Sequence, residues 1–117
     1  MLAHLKPDKR FTAPDGHSLI EVIGNVATQS PEYSVAKIVA PIGSEGVVRQ
    51  NAFDEIMIFI EGTGTIEIDG VHSSVSPNDV CLLPRGARYR LINDGCQSLI
   101  FWAVCAPAFK PELAQLL

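Results

Sequence analysis

Short apolar segments separated by turn-forming residues are the feature that most constrains the fold of this chain. Each segment has the length of a β-strand, and most are followed by Gly, Pro, Asn or Asp. This spacing is typical of an all-β sandwich or barrel and not of alternating helices and strands. We predict strands at Ser18–Ile23, Ser34–Ala40, Val47–Gln50, Glu55–Ile60, Thr65–Ile68, Val71–Val75, Val80–Leu83, Tyr89–Ile92 and Gln97–Ala106.

Two local signals refine the strand pattern. Asp69-Gly70 stands between two predicted strands and predicts a two-residue hairpin turn, because Gly tolerates the positive φ that such a turn requires. The tail Lys110–Leu117 differs from the rest of the chain, since Pro111 at a first-turn position is followed by good helix formers. We therefore expect a short C-terminal helix.

Length and composition fit one small domain without a membrane segment. At 117 residues the chain is long enough for one domain, residues 1–117, and too short for two. Its longest uncharged apolar run, residues 98–109, is shorter than the roughly 20 residues that a spanning helix needs. Charged residues follow Met1 before a signal peptide could form, so we expect a cytoplasmic protein.

Net charge and cysteine spacing bear on nucleic-acid binding and on the state of the cysteines. The net charge of −4 provides no broad positive field, so we expect no nucleic-acid partner. The three cysteines are odd in number and show no CxxC spacing, which fits reduced, buried thiols better than a disulfide or zinc framework.

The segment Glu55–Ile60 is apolar on both faces after its first residue. Alternation places Glu55 and every second residue after it toward the interior, which leaves Ile56, Ile58 and Ile60 on the other face. A strand that is wet on one face would alternate with polar residues. We therefore expect a homodimer that covers this face, unless residues 1–33 fold back over it.

Polar and Gly residues recur at fixed distances in the middle of the chain. Gly43 is followed after five residues by Arg49-Gln50-Asn51, after three more by Glu55, and after six more by Gly62.

A second series lies further along. Asn78 is followed after five residues by Pro84-Arg85-Gly86, after two more by Tyr89, and after three more by Asn93. Together the two series resemble the paired motifs of the cupin family, and the resemblance covers about residues 34–106. It implies an all-β fold of the cupin type, a double-stranded β-helix or jelly-roll barrel.

The resemblance also implies a position for a metal ion, but the residues there are changed. In cupins, three histidines and one glutamate hold a transition metal inside the barrel. Here Arg49, Asn51 and Tyr89 stand at the histidine positions and only Glu55 is kept. A permanent cation, an amide and a phenol are poor ligands for a divalent cation. His4, His17 and His72 lie outside the motifs, so we predict no metal and no cofactor.

The altered positions predict a polar interior. A carboxylate inside a barrel needs compensation, and Arg49 could pair with Glu55. In one interpretation this pair is only structural. In the other, Arg49, Asn51, Glu55 and Tyr89 converge on a cavity that binds a small polar ligand, with Arg49 suited to a carboxylate or phosphate.

A catalytic form of the second interpretation assigns Glu55 as general base and Tyr89 as acid or hydrogen-bond donor to an oxyanion. Proton transfer next to a carbonyl would suit a metal-independent lyase, isomerase or cyclase acting on a small oxygenated or anionic compound. By strand parity, the apolar wall of the ligand-binding cavity would be Met57, Phe59 and Leu91.

Two alternatives use the same residues. One is a non-catalytic cupin that binds or senses a small molecule. The other is an atypical metal-dependent enzyme with an oxygen-rich site at Glu55 and Tyr89. The residue types serve all of these functions, so the sequence leaves open whether the chain is an enzyme and which ligand it binds.

Overall fold

The fold consists of two antiparallel β-sheets that face each other across one core. A computed structural model describes residues 1–117, and it contains β-strands and two short 3-10 turns, Pro7–Lys9 and Pro111–Leu113. No helix in it is long and apolar enough to cross a bilayer. The strands are β1 (Phe11–Thr12), β2 (Ser18–Ile23), β3 (Ser34–Ala40), β4 (Arg49–Asn51), β5 (Asp54–Glu61), β6 (Gly64–Ile68), β7 (Val71–Val75), β8 (Val80–Leu83), β9 (Arg88–Ile92), β10 (Leu99–Ala106) and β11 (Ala114–Leu116).

The order of the strands is that of a jelly roll. One sheet runs β1-β2-β3-β10-β5-β8 and the other runs β11-β4-β9-β6-β7. Strands adjacent in sequence often lie in different sheets, as β4 and β5 do, so the chain winds between the two layers. The predicted all-β jelly-roll barrel is confirmed.

The turn between β6 and β7 has the predicted geometry. Asp69 and Gly70 both have positive φ, 48° and 83°, as a tight hairpin turn of the primed type requires. The five residue pairs of this hairpin run from Gly64 opposite Val75 to Ile68 opposite Val71. The turn therefore fixes the register of the two strands.

The prediction of a C-terminal helix is wrong. Residues 111–113 form a single 3-10 turn, and β11 follows and pairs with β4. The backbone N–H of Ala52 also donates to the carbonyl of Leu113 at 2.8 Å. Eight residues are too few for an isolated helix to be stable, whereas the free edge of β4 offers backbone partners, so pairing prevails over helix propensity.

The core lies between the inner faces of the two sheets. Along β5 and β10 burial alternates residue by residue, so one side of each strand faces the interior. The packed cluster consists of Ala40, Met57, Phe59, Ile66, Val75, Leu83, Tyr89, Leu91, Leu99, Phe101 and Ala103.

The outer face of the larger sheet carries exposed apolar side chains. Ile56, Ile58 and Ile60 are each 37–38% exposed, and Leu82 on the neighbouring β8 is 63% exposed. Strands β1 and β2 add to the far edge of this sheet, beyond β3 and β10. Residues 1–33 therefore leave the isoleucine face uncovered, contrary to the alternative considered from sequence.

Candidate functional site

Three strands bring polar side chains together inside the barrel. Strands β4 and β9 pair with Arg49 opposite Tyr89, and Glu55 lies near the beginning of β5. The side chains of Asn51, Glu55 and Tyr89 are buried, with 5–7% of each residue exposed. Asn51, Glu55 and Tyr89 therefore lie together inside the barrel.

Asn51, Glu55 and Tyr89 form one hydrogen-bonded triad. The Tyr89 hydroxyl donates to Oε1 of Glu55 at 3.0 Å, and Nδ2 of Asn51 donates to the same oxygen at 3.2 Å. The Asn51 amide also lies 3.4 Å from the Tyr89 hydroxyl. One carboxylate oxygen thus receives two donors from neighbouring strands, which fixes the position of the Glu55 side chain.

Burial changes the proton affinity of this triad. Removal from water raises the pKa of Glu55 to about 7, although the Tyr89 hydrogen bond and the charge of Arg49 act in the opposite direction. Burial, together with the neighbouring Glu55 carboxylate, raises the pKa of Tyr89 well above its ordinary value. Near neutral pH, Glu55 can therefore accept or release a proton while Tyr89 remains a hydrogen-bond donor.

Arg49 does not pair with Glu55 as the sequence predicted. Its guanidinium forms an ion pair with Asp15, whose side chain is only 2% exposed, while that of Arg49 is 17% exposed. Glu55 is balanced instead by the two neutral donors of the triad. The sequence-based prediction failed because it considered only residues of the motif frame, and Asp15 lies 34 residues before Arg49.

A tight turn between β1 and β2 places Asp15 at the barrel. The Gly16 N–H donates to the Ala13 carbonyl at 3.0 Å, and the Ala13 N–H donates to the His17 carbonyl at 2.8 Å. Residues 14–16 form the three-residue loop of this turn. Pro14 suits its first position, and Gly16 has the positive φ of 87° that its third position needs. The turn holds the acidic side chain between them, and Asp15 meets Arg49 where the turn docks on the barrel.

His17 is a residue of the site that the sequence reasoning set aside. Its ring nitrogen Nδ1 lies 3.4 Å from Oδ2 of Asp15, and its Nε2 is buried without a hydrogen-bond partner. Burial lowers the pKa of His17, with the Asp15 carboxylate opposing and Arg49 reinforcing the change. The only sequence signal was the Pro-Asp-Gly-His turn itself, which gives no indication of where the turn docks.

The three apolar residues predicted to line a cavity lie in the packed core. Met57, Phe59 and Leu91 belong to the central cluster. Of two surface hollows, one of about 310 Å³ borders Asn51, and one of about 340 Å³ between β7 and β8 reaches Phe59. Neither of these two hollows borders Glu55 or Tyr89, and both of those residues are buried.

Comparison with solved structures identifies the fold. Streptomyces PAC13 with uridine has a TM-score of 0.81 at 16% identity, covering 100% of this chain and 91% of that one. An RmlC-like cupin from Shewanella frigidimarina NCIMB 400 has a TM-score of 0.75 at 19% identity, covering 86% and 85%. The chain folds as a small cupin domain.

Sequence comparison gives one longer relative. The chain is 38% identical over 112 residues to "Endoribonuclease YbeY" of Myxococcus xanthus (strain DK1622), a match that covers 96% of the chain. The chain spans 38% of the length of that relative. No family profile matches the chain.

The residues of this chain do not fit the metal ion that the cupin resemblance implies. No three His, Cys, Asp or Glu side chains are arranged so that they could hold a metal. Glu55 has Asn51 and Tyr89 beside it, and the charge of Arg49 acts on it. A guanidinium would repel a divalent cation and an amide nitrogen would offer it no lone pair.

The raised pKa of Glu55 predicts how stability depends on pH. Below about pH 4.5 the Glu55 carboxyl group is protonated in both the folded and the unfolded chain. Between pH 4.5 and 7 it stays protonated only in the folded chain. The contribution of Glu55 is therefore full below pH 4.5 and falls by about 3 kcal/mol as the pH rises to 7. Urea unfolding of wild type and Glu55→Gln across this range will measure it, and the difference between them should show this fall.

The comparison of wild type with Glu55→Gln separates the contribution of Glu55 from those of other titrating groups. The lowered pKa of His17 changes stability in the opposite direction, so wild type alone would underestimate the effect. Glu61→Gln removes an exposed carboxylate from the same strand and should reproduce the wild-type profile. Parallel profiles for wild type and Glu55→Gln would contradict the buried carboxylate.

The ion pair between Arg49 and Asp15 is testable by a double-mutant cycle. Arg49→Gln should lower the free energy of unfolding by about 3 kcal/mol, because it leaves a buried carboxylate unpaired. Adding Asp15→Asn to that variant should recover most of the loss, since no charge then remains to be compensated. Chemical denaturation of the wild type, both single variants and the double variant gives the coupling energy. Additive effects would show that the two side chains do not interact.

Proposed function

We propose that this cupin binds a small oxygenated or anionic compound at the mouth of its barrel and transfers protons on it through Glu55 and Tyr89, without a metal ion. The observation that carries the proposal is the buried triad, in which a carboxylate with a pKa of about 7 is held by a tyrosine hydroxyl 3.0 Å away. A general acid or base works best when its pKa lies near the pH at which it acts.

Glu55 is the proposed base. Its carboxylate takes a proton from a carbon next to a carbonyl group, and the electron pair of the broken C–H bond moves onto the carbonyl oxygen. Tyr89 donates a hydrogen bond to the oxyanion that develops there. Return of the proton to another carbon gives isomerisation, and loss of a β-leaving group gives elimination, so one pair of residues supports either reaction.

Arg49 and Asn51 are the proposed binding residues. Arg49 is the cation whose charge acts on both Glu55 and Tyr89, and a guanidinium binds carboxylate and phosphate groups through paired N–H donors. Met57, Phe59 and Leu91 would form the apolar floor beneath the ligand, since Met57 follows Glu55 on the inner face of β5. Such a floor would exclude water from the reacting atoms.

A structural neighbour supports a small-molecule ligand. PAC13 was solved with uridine, and it covers the whole of this chain at a TM-score of 0.81. At 16% identity the likeness concerns the fold, so we infer only that a barrel of this size can accept a compound of that kind.

A non-catalytic binding or sensing cupin is the second candidate. It is favoured by the closed state of the site, in which Arg49 is paired with Asp15 and neither described hollow borders the Glu55 carboxylate. A binding domain needs only that the site opens to its ligand, whereas an enzyme needs Glu55 and Tyr89 placed against the reacting atoms.

We further propose that this barrel does not itself bind RNA, although a longer relative is called an endoribonuclease. The chain has a net charge of −4, and nucleic-acid sites depend on clustered positive charge. The match covers 38% of that relative, which fits one domain, residues 1–117, within a longer protein.

Exchange of carbon-bound hydrogen in D₂O tests the catalytic proposal. The purified protein is incubated with a panel of small 2-oxo acids such as pyruvate, and loss of the C–H signal is followed by proton NMR. Wild type should accelerate exchange in a member of the panel. Glu55→Gln and Tyr89→Phe should each lower that rate by about 10²–10⁴-fold. Chelation with EDTA should leave it unchanged.

Binding measured on the same panel separates the two candidates. A compound that binds wild type without exchange would contradict catalysis and support the binding domain. Exchange that is unaffected by Glu55→Gln would contradict the role of Glu55. Glu61→Gln, which alters an exposed carboxylate on β5, serves as the matched control.

We also propose that the cupin is a homodimer that pairs through the isoleucine face of the larger sheet. Ile56, Ile58 and Ile60 lie beside exposed Leu82 and half-buried Trp102 on adjacent strands. A contiguous apolar patch of this kind marks an association surface in soluble proteins. A two-fold axis would bury both copies of the patch at once.

Light scattering after gel filtration at micromolar concentration tests this pairing. Wild type should have twice the mass of 12.6 kDa that one chain has, and Ile58→Glu should reduce it to 12.6 kDa because it buries an unpaired charge. Val71→Glu, on the exposed edge strand β7 of the other sheet, should remain dimeric. A wild-type mass of 12.6 kDa would contradict the proposal.

A further inference from the structure

The carboxylate of Asp15 shows what the mouth of the barrel can bind. It pairs with the Arg49 guanidinium, it accepts the backbone N–H of His17 at 3.0 Å, and it faces Nδ1 of His17 at 3.4 Å. This side chain is almost fully buried. The chain therefore already contains an anion site, occupied by one of its own carboxylates.

The element that carries Asp15 is weakly attached. Strand β1 pairs with β2 through two residues, Phe11 and Thr12, and both are exposed. It is the edge of its sheet, so β2 is its only neighbour. Segments with few buried contacts open locally at low free-energy cost. The ion pair to Arg49 is thus one of the few buried contacts that hold the turn at residues 13–16 in place.

Two buried polar atoms near this ion pair have no partner. They are Nε2 of His17 and Oδ1 of Asn51. Buried polar groups without hydrogen bonds are rare and costly, and a bound ligand can satisfy them. His17 directly precedes β2, whose Ser18 pairs with Val39 of β3, so His17 is held by the sheet when the turn moves.

We propose that Asp15 occupies the place of the ligand's own anionic group, and that a small hydroxylated carboxylate or phosphate compound displaces it from Arg49. Neighbouring hydroxyl groups of the same compound would donate hydrogen bonds to Oδ1 of Asn51 and Nε2 of His17. The turn at residues 13–16 swings outward in the exchange and opens the way to the triad. The inference rests on the proposed ligand site, and it names the anion and the group that competes with it.

Titration with simple anions tests the displacement. Acetate and inorganic phosphate are added to protein labelled with ¹⁵N at arginine, and the side-chain signal of Arg49 is followed by NMR. Asp15→Ala should bind acetate or phosphate about tenfold more tightly than wild type, if the open state of wild type is about a tenth of the population. Asp15→Asn, which keeps the shape of the side chain, should give the same direction of change.

Controls make the outcome decisive. Asp15→Ala combined with Arg49→Gln should lose the binding, which is measured for this variant through the His17 ring signal of protein labelled with ¹⁵N at histidine. Asp8→Ala, an exposed change in the preceding 3-10 turn, should match wild type. Equal affinity in wild type and both Asp15 variants would overturn the proposal, as would binding that survives Arg49→Gln. Anion binding needs no base, so loss of hydrogen exchange with this effect intact would contradict only the catalytic proposal.

Discussion

A carboxylate inside a dry barrel is the constraint on which the candidate site depends. Glu55 is placed there by strand parity, since the residues that alternate with it are the core residues Met57 and Phe59. Its charge can be tolerated only if neighbours supply hydrogen bonds, and Asn51 and Tyr89 do so from β4 and β9. The same desolvation that makes Glu55 costly gives it a pKa near neutrality. The raised pKa of Glu55 is therefore a consequence of how the fold packs this side chain.

Arg49, the cation of the site, pairs with a residue outside the triad. Arg49 lies opposite Tyr89 in the β4–β9 pair, yet its ion pair is with Asp15 from the β1–β2 turn. This contact ties the N-terminal edge of one sheet to the centre of the barrel. It also occupies the group best suited to bind an anionic ligand. In our proposal, the Arg49 guanidinium therefore has two uses, to hold the β1–β2 turn against the barrel and to bind the ligand.

Sequence alone predicted the parts of this structure that depend on local pattern. The bounds of β2, β3, β7 and β8 agree with the predicted strands, because turn-forming residues follow each of them. The alternation of side chains along the strands also predicted that Glu55 and Tyr89 lie in the barrel interior, where both are buried.

The features that the sequence did not predict depend on contacts between distant segments. Asp15 and His17 reach the site through a turn whose docking position leaves no mark in the sequence. The tail forms β11 because the edge of β4 is free, and that edge exists only in the folded chain. Both errors arose because local propensity was read without knowledge of the surface that a segment meets.

The most direct test of the account is a ¹³C NMR titration of the side-chain carboxyl group of Glu55. Loss of one carboxyl resonance in Glu55→Gln assigns the signal, and the midpoint of its shift with pH gives the pKa in the folded chain. The account predicts a midpoint of about 7. A midpoint near 4.5, the ordinary value for glutamate, would show that water reaches the carboxylate, and the proposed base would then lose its physical basis.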